Sequence, residues 1–426
     1  MSTPQRMVAE EFADRIGHGE LAMNRLPYQV NTRTRSANAV ITDSAAAGTA
    51  IACGSKTGNC MLGVDKSGAR LKSVAEVARD AGMKVGIITT VTIVHATPAA
   101  FYAHNPSRGA SYQIALDLID SDFDYFAGGG VYNLYDDRND KKYRGNVFEL
   151  AEKAGYTVIR GDKAAWSALK PGSKSWCVFG DNGMSFSIDA DGSEPTLAEL
   201  VIKGVELLDN PNGFFIMCEG GKVDYAGHAN DAATNLRDVL ALDDAVKVAL
   251  AFQERHPEDT LVITTGDHET GGMSMGFAGI GGKFKVEMLA SQRISTEKFS
   301  SRIKKMISDR NGEVKFDEVR AELKELFGFD SLSPDEEKNL RKAFEQDVEN
   351  IRNKLKDTTA HDVQRRYVFA QAVKNALNSR AGIGWSSGSH TALPTLTTAK
   401  GCNADILVGM TENTDIGERL KKLLAK

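Results

Sequence analysis

The chain is poor in cysteine, has no long apolar run and carries no excess of positive charge. Its five cysteines, Cys53, Cys60, Cys177, Cys218 and Cys402, are scattered, odd in number and without a CxxC pair. They fit neither a dense disulfide framework nor a thiolate zinc site, and a bridge between Cys53 and Cys60 is the one pairing left open. No apolar stretch approaches the roughly 18 residues of a bilayer-spanning helix, so no membrane span is expected. Lys and Arg number 52 against 57 Asp and Glu, a net charge of −5, and no long basic tract argues for a nucleic-acid partner. No leader is visible either. Met1-Ser2-Thr3-Pro4 runs straight into helix-like sequence, with Thr3 expected as the N-cap and Pro4 as the first helical residue. What remains is an ordinary globular composition, 42% hydrophobic and 26% charged over 426 residues, ample for a large core.

Glycine, by contrast, occurs 40 times, often just after short β-branched runs. Residues 84–90 (KVGIITT), 214–218 (FFIMC) and 261–265 (LVITT) read as buried parallel strands, with 405–409 (DILVG) a further candidate. Helical patterns lie between them at 71–81, 148–154, 197–208 and 231–252. The alternation predicts an α/β fold, a central mainly parallel β-sheet flanked by helices, with chemistry beyond the carboxyl ends of its strands. Residues 284–380 break the pattern, being rich in Lys, Glu, Arg and Asp and almost free of strand signals. They are expected to form a charged helical insertion on an α/β core made of 1–283 and 381–426. Inside it, the stretch from Ile307 to Glu318 has the turn glycine (Gly312) and closing glutamate of half a calcium loop. Its first ligand position is Ile307 and no partner loop follows, so the spacing favours a solvated helix-turn-helix. His361, also within the insertion, is expected on a solvated face.

The chemistry-bearing residues gather at predicted strand ends. The strand 214–218 runs into Glu219, two glycines, then Asp224 and His228; a carboxylate, an aspartate and an imidazole in one tight loop suit a divalent metal. A second group, Asp267-His268-Glu269-Thr270-Gly271-Gly272, follows strand 261–265 with the same ligand types. A third loop, Gly384-Trp385-Ser386-Ser387-Gly388-Ser389-His390, presents one histidine that would complete a three-ligand zinc site with an open position. Ser44, in Thr42-Asp43-Ser44-Ala45-Ala46-Ala47-Gly48, sits at the predicted start of a helix of small residues. Free N–H groups and the helix dipole there favour an anion such as phosphate. No Ser-His-Asp base adjoins it in sequence, so a metal ion is the expected activator. The alternative at each site is structural: Asp43 and Ser44 as helix caps, Asp224 and Asp267 as caps, the histidines as packed side chains.

Taken in order, Asp43-Ser44-Ala45-Ala46, the run from His95 to Ala100, Arg108, Glu219 with Asp224 and His228, Asp267-His268 and His390 resemble the alkaline phosphatases. The likeness spans Met1 to about Ile280 and resumes from Gly384. It implies a hydrolase, a phosphomonoesterase, in which Ser44 takes the phosphoryl group as a phosphoserine and Arg108 grips two phosphate oxygens. It implies one zinc on Asp224, His228 and His390, a second on Asp267 and His268, and magnesium on Thr97 and Glu219. Paired zinc ions would then clamp the attacking and leaving oxygens of an in-line transfer. His95 stands where some members have aspartate near the magnesium, and Tyr225 where some have lysine or histidine, which leaves the identity of that third ion open.

One family ligand has no counterpart. An aspartate bridging the second zinc and the magnesium ends the family's first strand in a Gly-Asp-Gly-Met motif, whose tail Met1-Ser2 resembles. The expectation is therefore a chain truncated at that motif, without a signal segment, a central strand and the bridging aspartate, and impaired as a catalyst. The same resemblance implies a homodimer and a periplasmic or secreted enzyme. A non-catalytic phosphate- or metal-binding chain is the alternative. A sulfatase is disfavoured, because Ser44 is followed by Ala-Ala-Ala-Gly and not by the proline and arginine that chemistry needs.

Overall fold

The computed structural model describes residues 1–132, 143–280, 282–352 and 368–425. Twelve strands occur in them: β1 (Tyr28–Thr32), β2 (Lys84–Thr92), β3 (Tyr125–Gly129), β4 (Thr157–Arg160), β5 (Ser175–Val178), β6 (Phe214–Glu219), β7 (Leu261–Thr264), β8 (Glu269–Thr270), β9 (Ser274–Met275), β10 (Ile383–Gly384), β11 (His390–Thr391) and β12 (Thr395–Gly401). Five form a parallel sheet in the order β4-β5-β3-β2-β6. Parallel strands need crossovers, and helices such as Ser111–Asp120, Val147–Lys153 and Leu197–Leu208 supply them. Burial on both faces explains the apolar run of β2. A second sheet, β1-β12-β7, is antiparallel, and two short ribbons pair β8 with β11 and β9 with β10.

Between the two sheets lies a slot. The edges of β6 and β7 line a common cavity of about 660 Å³ together with Met83, Leu242, Val246, Ile416 and Leu420. Among the described residues β6 pairs only with β2 and β7 only with β12, so the two facing backbones make no ladder with each other. Every residue of β6 is therefore half-buried, although its sequence, FFIMC before Glu219, is that of a fully buried strand.

The strands expected at 84–90, 214–218 and 261–265 are present. The one expected at 405–409 is not: Ala404–Leu407 is a 3-10 turn, because Asn403 takes a left-handed φ of 54° and ends the extended chain. Strands β1, β3, β4, β5 and β12 escaped the apolar-run criterion. β12 shows why: it reads TLTTAKG, yet Thr395, Thr397 and Thr398 are buried. For Thr397 and Thr398, burial is made tolerable by hydroxyl pairs across the sheet, Thr32–Thr397 at 2.8 Å and Thr264–Thr398 at 2.7 Å. At the amino end the helix Thr3–Arg15 forms as expected, but Ser2, not Thr3, is its cap.

The charged stretch after residue 284 folds into helices, Thr296–Asp309, Phe316–Phe327, Pro334–Arg352 and Phe369–Ala381. Their apolar faces bury Phe299, Phe316, Phe344 and Phe369 in one cluster with Val8 and Phe12 of the first helix and Leu236 and Val239 of the helix Ala232–Arg255. The candidate calcium loop is a helix-turn-helix. Gly312 supplies its positive φ of 81°, and the Glu318 carboxylate accepts from the Lys315 N–H at 2.8 Å and from Arg310 at 2.7 Å. His361 lies outside the described residues. All five cysteines are free, Cys53 buried and Cys60 exposed. No helix of the described residues is long and apolar enough to cross a membrane.

One buried network carries a stability prediction. Glu76 caps its own helix start at Ser73 N–H, accepts from His104 Nε2 at 3.2 Å and meets Arg70. Burial alone would raise its pKa, but hydrogen bonds from His104, Ser73 and Arg70 hold it down at about 2. A carboxylate depressed in the fold stabilises above its unfolded value and loses that contribution as pH falls toward its folded value. The difference in Tm between the parent chain and Glu76→Gln should thus be largest at neutral pH and shrink from about pH 4.5 to about pH 2. Calorimetry giving a pH-independent difference would contradict it.

Candidate active site

The carboxyl ends of the strands bring together groups that lie far apart in sequence. Ser44 is the first residue of the helix Ser44–Cys53, capped by Asp43, whose carboxylate accepts from Ala46 N–H at 3.0 Å. Gly48 lets this helix approach the segment Ala96–Ala99; a Cβ there would meet Ala100 at 3.0 Å and Thr97 at 3.4 Å. The Ser44 hydroxyl lies 2.9 Å from His268 Nε2 and is buried. Asp43 has a second task. Its other oxygen accepts from Cys60 N–H and from Arg108 Nη1, both at 3.0 Å, and Arg108 Nη2 lies 3.2 Å from His95 Nε2. The guanidinium is thus fixed beside the serine while its side chain stays 28% exposed and open to a ligand.

Asp224 and His228 stand one turn apart on the helix Lys222–His228, with His228 Nε2 3.5 Å from Asp224 Oδ1. His390 reaches the same oxygen at 3.6 Å from β11, and its ring stacks on His268 with centroids 3.5 Å apart. Ligand atoms of Asp224, His268 and His390 all lie within 4.8 Å of one another, a group able to hold a metal ion. Asp267 Oδ2 lies 3.1 Å from His268 Nε2 and accepts from Thr97 Oγ1 at 3.2 Å. Glu219, at the end of β6, accepts from Thr89. Every site residue expected from the sequence therefore lies at this edge. His104 does not join them; it is engaged with Glu76 and the Gly63 carbonyl.

The electrostatics are those of an anionic pocket. Burial, aided by the Asp267 and Asp224 charges, pushes Glu219 up to about 8 despite the lowering bond from Thr89. Burial also favours the neutral forms of Asp267 and Asp224, but His268 and its neighbouring histidines hold both below the ordinary carboxylate range. His268 is raised in turn: burial works against its charge and Asp267 and Asp224 outweigh it. Burial and the nearby Arg108 drive His95 down to about 4, and its Nδ1 has no hydrogen-bond partner. Three carboxylates and three imidazoles in so small a volume suit divalent cations. The rings agree with that use. His228 Nδ1 lies 2.9 Å from the Gly388 carbonyl and His390 Nδ1 2.9 Å from the Thr42 carbonyl, leaving Nε2 of each turned toward Asp224.

Sequence reasoning assigned no role to Thr89, Glu269 or Thr270. Thr270 carried a signal: in a strand it shares a face with His268, two positions earlier. Its hydroxyl donates to Asp224 Oδ1 and lies 3.2 Å from His268 Nδ1.

An open parallel sheet with its polar cluster beyond the strand ends, around a serine at a helix start, places the chain in the class of α/β enzymes. The family model described as Alkaline phosphatase matches residues 1–426, and the chain belongs to that family, hydrolases acting on phosphomonoesters. Alkaline phosphatase 3 of Bacillus subtilis is 31% identical over 392 residues, which are 90% of this chain and 77% of the relative. Alkaline phosphatase 4 of the same organism is 32% identical over 393 residues, with the same coverage. Among solved structures, a cold-active alkaline phosphatase from Shewanella sp. superposes with a TM-score of 0.82 at 28% identity, covering 100% of this chain and 98% of that one. The alkaline phosphatase of Thermus thermophilus gives 0.81 at 29% identity, covering 100% and 89%.

Proposed function

We propose that the chain hydrolyses phosphomonoesters through a phosphoserine on Ser44, with two zinc ions and a third divalent ion, magnesium by family resemblance. The observation that carries this reading is the Ser44 hydroxyl 2.9 Å from His268 Nε2, inside a ring of carboxylates and imidazoles. Asp224, His228 and His390 would hold one zinc, Asp267 and His268 the other, and Thr97 and Glu219 the magnesium. When bound, these ions supply Lewis acidity that lowers the pKa of a serine hydroxyl or a water.

The chain's own residues do the rest. Arg108 binds two non-bridging phosphate oxygens, its fork pre-set by Asp43. The N–H groups at the start of Ser44–Cys53 add their partial positive charge. Ser44 Oγ attacks phosphorus, the ester P–O bond breaks, and the serine proton leaves with the departing alcohol. Water then attacks the phosphoserine, the P–Oγ bond breaks, and phosphate leaves while Ser44 is reprotonated. Dialysis against a chelator should bring aryl phosphate turnover to background, and zinc with magnesium should restore it. Full turnover after complete removal of divalent ions would refute the reading.

A second reading, a weakly active or inactive phosphate- or metal-binding chain, is favoured by the slot. Two unpaired strand edges and a cavity of about 660 Å³ open onto the site at Asp267 and Glu219. We propose that an apolar strand with an aspartate at its carboxyl end would fit between those two edges. The Met1 nitrogen, which donates to the His268 carbonyl at 2.8 Å, stands at that end of the slot. A homodimer and a place outside the cytoplasm belong to the same proposal and rest on resemblance alone.

A further inference from the structure

We infer that Thr270 is a positioning residue that fixes the ring of His268 and ties its metal position to that of Asp224. The inference rests on the metal-dependent reading above. The argument is one of proton counting. A threonine hydroxyl has a single proton and two lone pairs. That of Thr270 donates to Asp224 Oδ1 in a short contact, so its proton points there. The other neighbour, His268 Nδ1 at 3.2 Å, must then donate to the threonine oxygen, because two lone pairs facing each other would repel. With Nδ1 turned to Thr270, Nε2 is the ring nitrogen that faces Ser44 Oγ at 2.9 Å and Asp267 Oδ2 at 3.1 Å, where a bound cation would replace any proton shared with Asp267.

The outcome matches the other two rings, whose Nδ1 atoms are held by backbone carbonyls. His268 alone of the three relies on a side chain for this, and that side chain also holds a ligand of the neighbouring ion. A continuous chain results: Ser44, His268, Thr270, Asp224. Thr270 is itself rigidly set. It is 5% exposed, lies in β8 opposite His390, and is flanked by Glu269, whose carboxylate accepts from Gly272 N–H at 2.7 Å and from the Thr391 hydroxyl across the ribbon.

The test uses the whole chain and two variants. Thr270→Val keeps the shape and removes the hydroxyl; Thr270→Ser restores it. Competition with a chromophoric chelator should show Thr270→Val binding zinc about 10- to 100-fold more weakly than the parent, with Thr270→Ser within about threefold. Nitrogen NMR of the histidine rings, on the metal-free parent at alkaline pH, should find His268 protonated at Nδ1. Equal zinc affinity in parent and Thr270→Val, or a parent ring bare at Nδ1, would overturn the inference. A parent that binds no zinc yet shows the Nδ1–H tautomer would instead refute the metal-dependent reading and leave the ring assignment standing. Should the valine variant fail to fold, the NMR of the parent alone decides.

Discussion

Ser44→Ala should lower turnover of an aryl phosphate by about 10⁴-fold or more, the scale seen when a nucleophile is removed from a covalent mechanism. Residue 44 is the only hydroxyl in hydrogen-bond reach of His268 Nε2 among the described residues, and it opens a helix whose N–H groups face the same space. The small side chain leaves packing undisturbed, so Tm and circular dichroism should match the parent. Arg108 and the ligand cluster remain, and phosphate should still bind as a competitive inhibitor. Acid-quenched parent incubated with labelled phosphate should carry label on Ser44, and the alanine variant none. A variant retaining a tenth of the parent's turnover would rule out the phosphoserine route while leaving the family assignment intact.

The slot supports the second large effect. A version of the chain carrying an apolar strand ahead of Met1, with aspartate two positions before it, should exceed the 426-residue chain in turnover on the order of 10²-fold or more, since ligands misplaced by even about 1 Å cost that much. Two readouts separate filling of the slot from completion of the metal site. Backbone amides of β6 and β7, which face the cavity unpaired, should exchange fast in the shorter chain and slowly in the longer one. An asparagine in place of the added aspartate should keep that protection and lose the gain in turnover. If the shorter chain already protects both edges and turns over as fast as the longer one, the slot is not a strand site.

Glu219, Asp267 and His268 were legible because each sits where an apolar run gives way to glycine: Glu219 at the end of β6, Asp267 and His268 after β7. Their mutual distances were not legible. Sequence reasoning set Asp224 with His228 and His390, and His268 with Asp267. In space the ligand atoms of Asp224, His268 and His390 lie within 4.8 Å of one another, and the rings of His268 and His390 stack beside the β8–β11 ribbon. Pairing between strands some 120 residues apart leaves no local periodicity to read. Thr270 was missed for a related reason, since a hydroxyl acquires its role only when Asp224 arrives from another loop.

The same division holds for the fold. Periodicity and β-branching determined that strands at 84–90, 214–218 and 261–265 alternate with helices, because those signals are properties of neighbouring residues. Tertiary structure decided that Thr397 and Thr398 of β12 lie in a buried strand, since hydroxyl pairs across the sheet satisfy what a polar run would otherwise leave unpaired. It also decided that an apolar strand such as β6 stands half-open, because burial depends on which strand lies alongside and no residue records its neighbour across a sheet.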